Sequence, residues 1–451
     1  MELENVRQVY FIGVGGIGMS GLARYFKKRG AAVYGYDKTS TPLTDALADE
    51  GIPVNFIDRT DQVPPLFSEP KEGTLVVYTP AIPKDSAILN HFKSAGFILQ
   101  KRSEVLGIIS KGMFTIAVAG THGKTTTSSI VAHLLKDSGY DCSAFLGGIA
   151  TNYNTNVLFG ANDTMVVEAD EYDRSFLTLH PDIAIITSMD ADHLDIYGDA
   201  AHLTESFRMF AGQVKEGGII IRRKGLDLPK GKTYAANEEA DITALNVRVT
   251  DGNFWFDFKN GDVELSNLQI SLPGLHNIEN AIAAIEVALL LEIPEEKIRA
   301  ALANFKGVKR RFEYIVKNDS HIYIDDYAHH PEELRACLTA VKSLFPAKKL
   351  TTIFQPHLFT RTRDFADGFA EVLAMTDELV MLDIYPAREL PIEGVTSEMI
   401  LEMVSSADKK IMSKEEVLEH IRKEKPELVL TVGAGDIDTL VKPLKNILAH
   451  A

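Results

Sequence analysis

Two glycine-rich turns, each set between a short apolar run and the start of a helical pattern, constrain this chain more than any other feature. The first is Gly13-Val14-Gly15-Gly16-Ile17-Gly18, after the predicted strand Val9 to Val14 and opening a predicted helix from Gly16 through Arg29. GxGxxG spacing lets backbone amides approach a diphosphate at a helix N-terminus, and an acid after the next strand meets a ribose hydroxyl. Asp37 has that place, nineteen residues past Gly18 and at the end of the predicted strand Ala32 to Tyr36. A tight turn with no ligand is the plainer alternative, but the strand-and-helix context favours a site. The pattern specifies a diphosphate and does not specify nicotinamide.

The second turn is Ala119-Gly120-Thr121-His122-Gly123-Lys124-Thr125-Thr126-Thr127. It departs from the eight-residue phosphate-loop pattern because Val118 stands where the first glycine belongs. The working parts remain. Gly123 permits close backbone approach, Lys124 can reach β- and γ-phosphates, and the Thr125 hydroxyl can bind Mg2+. A simple dehydrogenase has no use for a triphosphate loop, and a simple ATPase has none for the first turn. A substrate that carries its own nucleoside diphosphate and is activated by ATP uses both.

The length of 451 residues predicts about three domains at roughly 150 residues each. Strands are expected at Leu75 to Tyr78 in the first; at Phe114 to Ala119, Thr164 to Glu168 and Ile183 to Thr187 in the second; and at Ile322 to Asp325, Leu350 to Phe354, Leu379 to Leu382 and Leu428 to Val432 in the third. Alternation with helices predicts parallel sheets. Residues 244–272 instead alternate apolar and polar, with Phe254, Phe256 and Phe258 on one face and hairpin turns expected at Asp251-Gly252 and Asn260-Gly261. A helix is expected over residues 277–291. The expected fold is therefore α/β in three domains: a Rossmann-like domain over 1–111, a phosphate-loop ATPase-like domain with a small antiparallel addition over 112–308, and a second Rossmann-like domain over 309–451.

Acidic residues outnumber basic ones by 63 to 47, a net charge of −16, which as a whole repels nucleic acid and anionic membrane. Two cysteines, Cys142 and Cys337, supply neither a disulfide framework nor a Cys-based zinc site. The longest apolar stretch, Ala281 to Ile293, is too short to span a bilayer and carries Glu286 and Glu292. With no charged-then-apolar leader pattern at the start, the expectation is a soluble cytoplasmic protein, monomer or homodimer, with small-molecule partners.

Taken in order, the motifs GVGGIGMSG at 13–21, AGTHGKTTT at 119–127, EADEYDRSF at 168–176, DADHLDIY at 190–197, HNIEN at 276–280, KRRFE at 309–313, DDYAHHP at 325–331 and FQPH at 354–357 resemble the Mur ligases, ATP-dependent amide-forming enzymes of peptidoglycan synthesis. The resemblance covers essentially the whole chain and is nearest to the branch that adds L-alanine to UDP-N-acetylmuramate. It implies a first domain for the UDP-sugar, a second for ATP and Mg2+, and a mobile third for the amino acid. The chemistry has its own logic: a carboxylate is a poor electrophile, and phosphorylation to an acyl phosphate makes amine attack feasible.

By this resemblance Gly13, Gly15, Gly16, Ile17, Gly18, Met19, Ser20, Asp37 and Thr79 face the UDP-sugar. Gly120, Thr121, His122, Gly123, Lys124, Thr125 and Thr126 hold ATP phosphates, Asn277 and Asn280 the adenine side, Arg311 the phosphates and Asp326 the ribose. Thr125, Glu168 and His193 are the implied Mg2+ ligands, and Lys124, His193, Arg311 and His330 the implied catalytic set. His330, His357 and Arg361 are implied at the amino acid. Plainer roles compete: Asn277 as a helix cap, Glu168 as one of a surface run with Asp170, Glu171 and Asp173, and the histidines His329 and His330 as caps.

Two positions depart from the family's pattern. No lysine lies between Leu194 and Val214, so the carbamylated lysine of several relatives is absent, as the alanine-adding branch implies. Leu358 stands where many relatives carry an arginine, leaving a carboxylate contact for Arg361 or Arg363. Competing functions are a related ligase adding an intact peptide to the same sugar nucleotide, an NAD-dependent oxidoreductase using Gly13 to Asp37, and a non-enzymatic nucleotide switch built on Lys124.

Overall fold

The computed structural model describes residues 3–190, 197, 199–250, 253–387, 389–405 and 408–449. Strands β1 (Gln8–Ile12), β2 (Ala32–Tyr36), β3 (Val54–Asn55), β4 (Thr74–Tyr78) and β5 (Leu99–Lys101) form a parallel sheet in the order β3-β2-β1-β4-β5. The first strand stops at Ile12, two residues short of the expected Val14. Gly13 takes φ +89°, and the Gly13 and Val14 amides both donate to the Tyr36 carbonyl, which turns the chain out of the ladder. Helix α1 (Ile17–Lys28) follows, and α2 (Pro42–Asp49), α3 (Ala87–Ser94) and α4 (Arg102–Lys111) complete the first domain.

The second sheet has ten strands: β6 (Phe114–Ala119), β7 (Ser143–Ala150), β8 (Thr155–Leu158), β9 (Thr164–Ala169), β10 (Ile183–Ile186), β11 (Ile219–Arg223), β12 (Lys232–Ala236), β13 (Ile242–Thr250), β14 (Asn253–Asn260) and β15 (Val263–Ile270). Their order is β15-β14-β13-β12-β11-β10-β6-β9-β7-β8, with β6 central and parallel to β9 and β10. Helix α5 (Lys124–Asp137) leaves β6, and α6 (Ala200–Gly212), α7 (Leu275–Leu290) and α8 (Glu295–Asn304) follow. Phe254, Phe256 and Phe258 are buried as their spacing requires. Gly261 at φ +58° makes the two-residue connection from β14 to β15, a length that only antiparallel neighbours allow. The Asp251-Gly252 turn lies outside the described residues. A further antiparallel pair, β7 with β8, sits on the opposite edge.

These two domains share one compact unit and one hydrophobic core. Phe11, Leu22 and Phe26 from the first belong to the same buried cluster as Phe145, Val157 and Met165 from the second. Each such side chain contributes roughly 1.5–3 kcal/mol on burial, so the junction holds like a domain interior.

The second compact unit comprises residues 306–451 together with Arg248–Trp255 and Ile270–Ile278. Its sheet contains β16 (Glu313–Lys317), β17 (Ile322–Asp326), β18 (Leu350–Phe354), β19 (Glu378–Met381), β20 (Lys409–Ile411) and β21 (Leu428–Val432), ordered β16-β17-β21-β18-β19-β20. All neighbours are parallel except β16 with β17. Helices α9 (Pro331–Leu344), α10 (Phe359–Asp364), α11 (Ala366–Leu373), α12 (Ser397–Met403), α13 (Lys414–Glu424) and α14 (Val441–Ala449) cover it. Among the described residues no helix is long and apolar enough to cross a membrane.

Candidate active site

The first glycine turn is built by its neighbours. A Cβ on Gly13 would lie 2.5 Å from Thr79 Cγ2, so Thr79 is packed directly against the turn. Asp37 Oδ2 accepts the Gly15 amide at 2.8 Å, and Oδ1 accepts the Thr39 amide at 3.1 Å. Its carboxylate therefore closes the turn itself, a task beyond the ribose contact that the sequence pattern suggests. Gly16 is the N-cap of α1 with no side-chain cap, which leaves the first helical amides available to an anion. The Met19 side chain belongs to the core, and Ser20 Oγ donates to the Ile17 carbonyl at 2.8 Å, so at these positions only the backbone faces the turn. Asn156 of β8 reaches across and donates to the same carbonyl at 2.6 Å.

The second turn is tighter still. A Cβ on Gly120 would meet Thr187 Oγ1 at 2.1 Å, and one on Gly123, at φ +81°, would meet Asn280 Oδ1 at 3.0 Å. Asn280 thus lies against the phosphate loop, a position other than the adenine side that the resemblance implies for it. Asn277 lies inside the first turn of α7 and its Nδ2 donates to the Pro273 carbonyl at 2.7 Å, so it does not take the N-cap position weighed for it. Thr121 Oγ1 and the His122 amide both bond to Ser188 Oγ, at 2.9 and 2.7 Å. Thr187 and Ser188 escape a reading of the sequence. Their signal is their place just past the end of β10, beside β6, where open α/β sheets put ligand loops. Thr125 and Thr126 are buried in the first turn of α5.

Lys124 Nζ lies 3.0 Å from Glu171 Oε1 and 2.8 Å from Oε2, and also donates to the Gly120 and Thr121 carbonyls. Burial alone would lower the Lys124 ammonium. The carboxylates of Glu171, Asp170 and Glu168 outweigh it and hold its pKa above the ordinary value. Glu171 is therefore a buried partner and not a member of a solvated acidic run. Its main-chain carbonyl accepts the Tyr197 hydroxyl at 2.6 Å.

Glu168 sits near the end of β9, where Oε2 accepts the Gly147 amide at 2.9 Å. A Cβ on Gly147 would fall 2.2 Å from that oxygen, so a glycine there gives the carboxylate its room. His193, the other implied metal ligand, lies outside the described residues. The Thr125 hydroxyl and Glu168 carboxylate are hard oxygen donors, which suits Mg2+. That ion takes one or two carboxylates, keeps several waters and completes its shell from substrate phosphates.

In the second unit the residues after β17 gather around Tyr327. Asp326 accepts the Phe312 amide at 2.6 Å and the Ala328 amide at 2.7 Å, so its carboxylate anchors the turn that presents Arg310 and Arg311. Both guanidinium groups lie 5.2 Å from the Tyr327 ring. Arg310 donates to Asp325 at 3.1 Å and to the Gly433 carbonyl at 2.6 Å, which makes it an internal tie. Arg311 pairs with Glu333 at 3.7 Å.

His330 is the N-cap of α9, its Nδ1 accepting the Glu332 amide at 3.4 Å, and its ring packs 4.6 Å from Phe365. His329, not His330, faces the other candidates. Its ring is 6.0 Å from His357 and its Nδ1 3.3 Å from Glu333 Oε2. Burial lowers the His329 pKa to about 4 against the pull of Glu333, so it is neutral at neutral pH. His357 stacks on Tyr385 at 5.8 Å, and its Nδ1 is 3.3 Å from Arg361 Nη1. Leu358, at φ +70°, caps the short helix that carries Arg361. Glu333, Tyr327 and His329 thus join His357, Arg361 and Arg311 in one cluster of imidazoles and paired charge.

Family models match three consecutive stretches: Mur ligase family, catalytic domain, over residues 8–113; Mur ligase middle domain over 118–288; and Mur ligase, glutamate ligase domain, over 310–435. A UDP-N-acetylmuramate–L-alanine ligase of Cytophaga hutchinsonii is 51% identical, with 99% of this chain and 97% of that protein covered. The enzyme of the same name from Flavobacterium johnsoniae is 49% identical over 99% of each. Among solved structures, the UDP-N-acetylmuramate-alanine ligase of Thermotoga maritima matches at TM-score 0.83 and 27% identity, covering 98% of both chains. A murein peptide ligase of Psychrobacter arcticus shares the fold at TM-score 0.72 and 22% identity over 99% of both.

Proposed function

The chain belongs to the Mur ligase family, and from that premise we propose that it joins L-alanine to the lactyl carboxylate of UDP-N-acetylmuramate at the expense of ATP. One observation carries the reading: two glycine turns, one suited to a diphosphate and one to a triphosphate, sit on a single hydrophobic core with Lys124 and Glu168 in the same domain. An oxidoreductase has no place for the second turn, and a nucleotide switch none for the first.

The reaction has two steps. The lactyl carboxylate attacks the γ-phosphorus, the bond to the bridging oxygen breaks, and ADP leaves with an acyl phosphate formed. The alanine nitrogen then attacks the carbonyl carbon, the C–O bond to phosphate breaks, and the ammonium proton passes to a base. Thr125 and Glu168 would hold Mg2+, which would supply neutralising positive charge for phosphoryl transfer. Lys124 and the start of α5 after Gly123 grip the β- and γ-phosphates, Asn280 lines the loop, and the uncapped start of α1 holds the UDP diphosphate. In the second unit, Arg361 and His357 take the amino-acid carboxylate, with His329 beside His357 and Glu333. ATP and these small molecules place the work in the cytoplasm.

The test is product mass together with phosphate release. Purified protein, ATP and Mg2+ with UDP-N-acetylmuramate and L-alanine should release phosphate and yield the sugar nucleotide plus one alanine residue. Release only with a tripeptide in place of alanine moves the chain to the peptide-adding function; release with neither rejects both.

A further inference from the structure

Gly18, the third glycine of the first turn, is roofed by an arginine. A Cβ there would lie 2.8 Å from Arg102 Nη1, 3.1 Å from Cδ and 3.2 Å from Cζ, so the Arg102 side chain packs directly over Gly18. Arg102 opens α4, directly after β5. Its other edge, Nη2, reaches Asp170 Oδ2 at 3.5 Å. Arg102, Glu168, Asp170 and Ser175 line one small cavity. A single side chain thus touches the diphosphate turn of one domain and the acidic segment of the next, all within one compact unit.

The pair with Asp170 is long and partly exposed, with side-chain exposures of 21% and 39%. Such a pair is weak and easily exchanged. A diphosphate seated at the start of α1 would lie beside Gly18, and a planar guanidinium matches its oxygens better than it matches one distant carboxylate. We propose that Arg102 binds the diphosphate of the uridine-linked substrate, leaving Asp170 as it does so. The proposal rests on the sugar-nucleotide reading of the first turn. It also gives Gly18 a second purpose. Its φ lies outside the left-handed region, so an alanine there is tolerated by the backbone and acts by pushing Arg102 aside.

The experiment uses the full chain and UDP, which has the diphosphate but no lactyl carboxylate. Calorimetric titration is paired with steady-state KM values for UDP-N-acetylmuramate and for ATP in Arg102→Ala, Arg102→Lys, Gly18→Ala and Asp170→Asn. The expected result is about tenfold weaker UDP binding for Arg102→Ala, in line with loss of a charge-assisted pair. The sugar-nucleotide KM should rise in parallel while that for ATP stays put. Arg102→Lys and Gly18→Ala should fall in between, and Asp170→Asn should bind UDP at least as tightly as the parent. Unchanged UDP affinity with a raised sugar-nucleotide KM would assign Arg102 to the carboxylate and overturn the proposal. Lowered melting temperature with unchanged UDP affinity would make it a mere tie between domains and overturn it equally. Failure of the parent protein to bind UDP at all would instead reject the sugar-nucleotide reading. If Arg102→Ala does not fold, the lysine and Gly18 variants decide.

Discussion

Lys124 Nζ is 2.8 Å from Glu171 Oε2, and the Glu171 side chain is only 1% exposed. Lys124 is therefore held by a buried carboxylate, and on the proposed reading a phosphate that reaches it takes that carboxylate's place. Removing one partner of a buried pair costs about 3–5 kcal/mol, because the other is left with uncompensated charge. Glu171→Gln should lower the melting temperature of the free protein, and saturating ATP should restore more of the loss than it adds to the parent. Thermal melts with and without nucleotide measure this; equal nucleotide shifts in both proteins would show that the two carboxylate oxygens do not compete with phosphate.

Lys124→Ala removes the cation itself. Loss of a preorganised charge at the transferring group costs about 10²–10³ in turnover, so phosphate release should fall by at least that factor while the circular dichroism spectrum stays native. Turnover near the parent value would break the link between this loop and catalysis.

Gly147 tests the metal assignment without changing a proposed ligand, and Glu168→Gln gives the direct comparison. The methyl of Gly147→Ala falls within 2.2–2.4 Å of the Glu168 carboxyl atoms and must displace the group. The half-saturating Mg2+ concentration should rise several-fold, in the same direction as for Glu168→Gln, at an overpacking cost of about 1–3 kcal/mol in stability. A Mg2+ titration that superimposes on the parent curve would remove Glu168 from the metal site.

His329 links stability to pH. Its pKa falls from 6.5 to about 4, through burial first, so between those values the unfolded chain binds the proton and the native chain does not. Stability therefore rises with pH across that window and is lost progressively on acidification through it. His329→Gln should flatten this slope in urea melts between pH 4 and pH 6.5, with the parent losing more stability at the acid end. Parallel slopes would mean that the imidazole titrates normally.

Local patterns were legible where the physics is local. Gly123-Lys124-Thr125 sits between a buried strand and a helix, and the structure places it there. The strands Ala32–Tyr36, Phe114–Ala119, Leu350–Phe354 and Leu428–Val432 have the predicted ends because continuous apolar runs bury both faces of a parallel sheet. The β7–β8 hairpin was not legible, since Gly147, Gly148, Asn152 and Asn154 give its sequence the texture of a loop. Three-residue β5 is too short to carry a period. The residues that complete the candidate site escaped for a different reason. Glu171 meets Lys124 from 47 positions away and Ser188 meets His122 from 66, and no spacing rule connects such partners. Asp37 was found by its place, but its bond to the Gly15 amide needed coordinates.

The hydrophobic core that runs unbroken from Phe11 and Leu22 to Phe145 and Met165 turns the first two domains into a ruler. Packed side chains fix the span between the first glycine turn and the phosphate loop, which on the proposed reading take the uridine end and ATP. An acid whose handle is a few atoms too short or too long would still dock by its uridine end, yet stop short of the phosphoryl donor or overshoot it. Length, as much as chemical identity, then decides which sugar acids are energised.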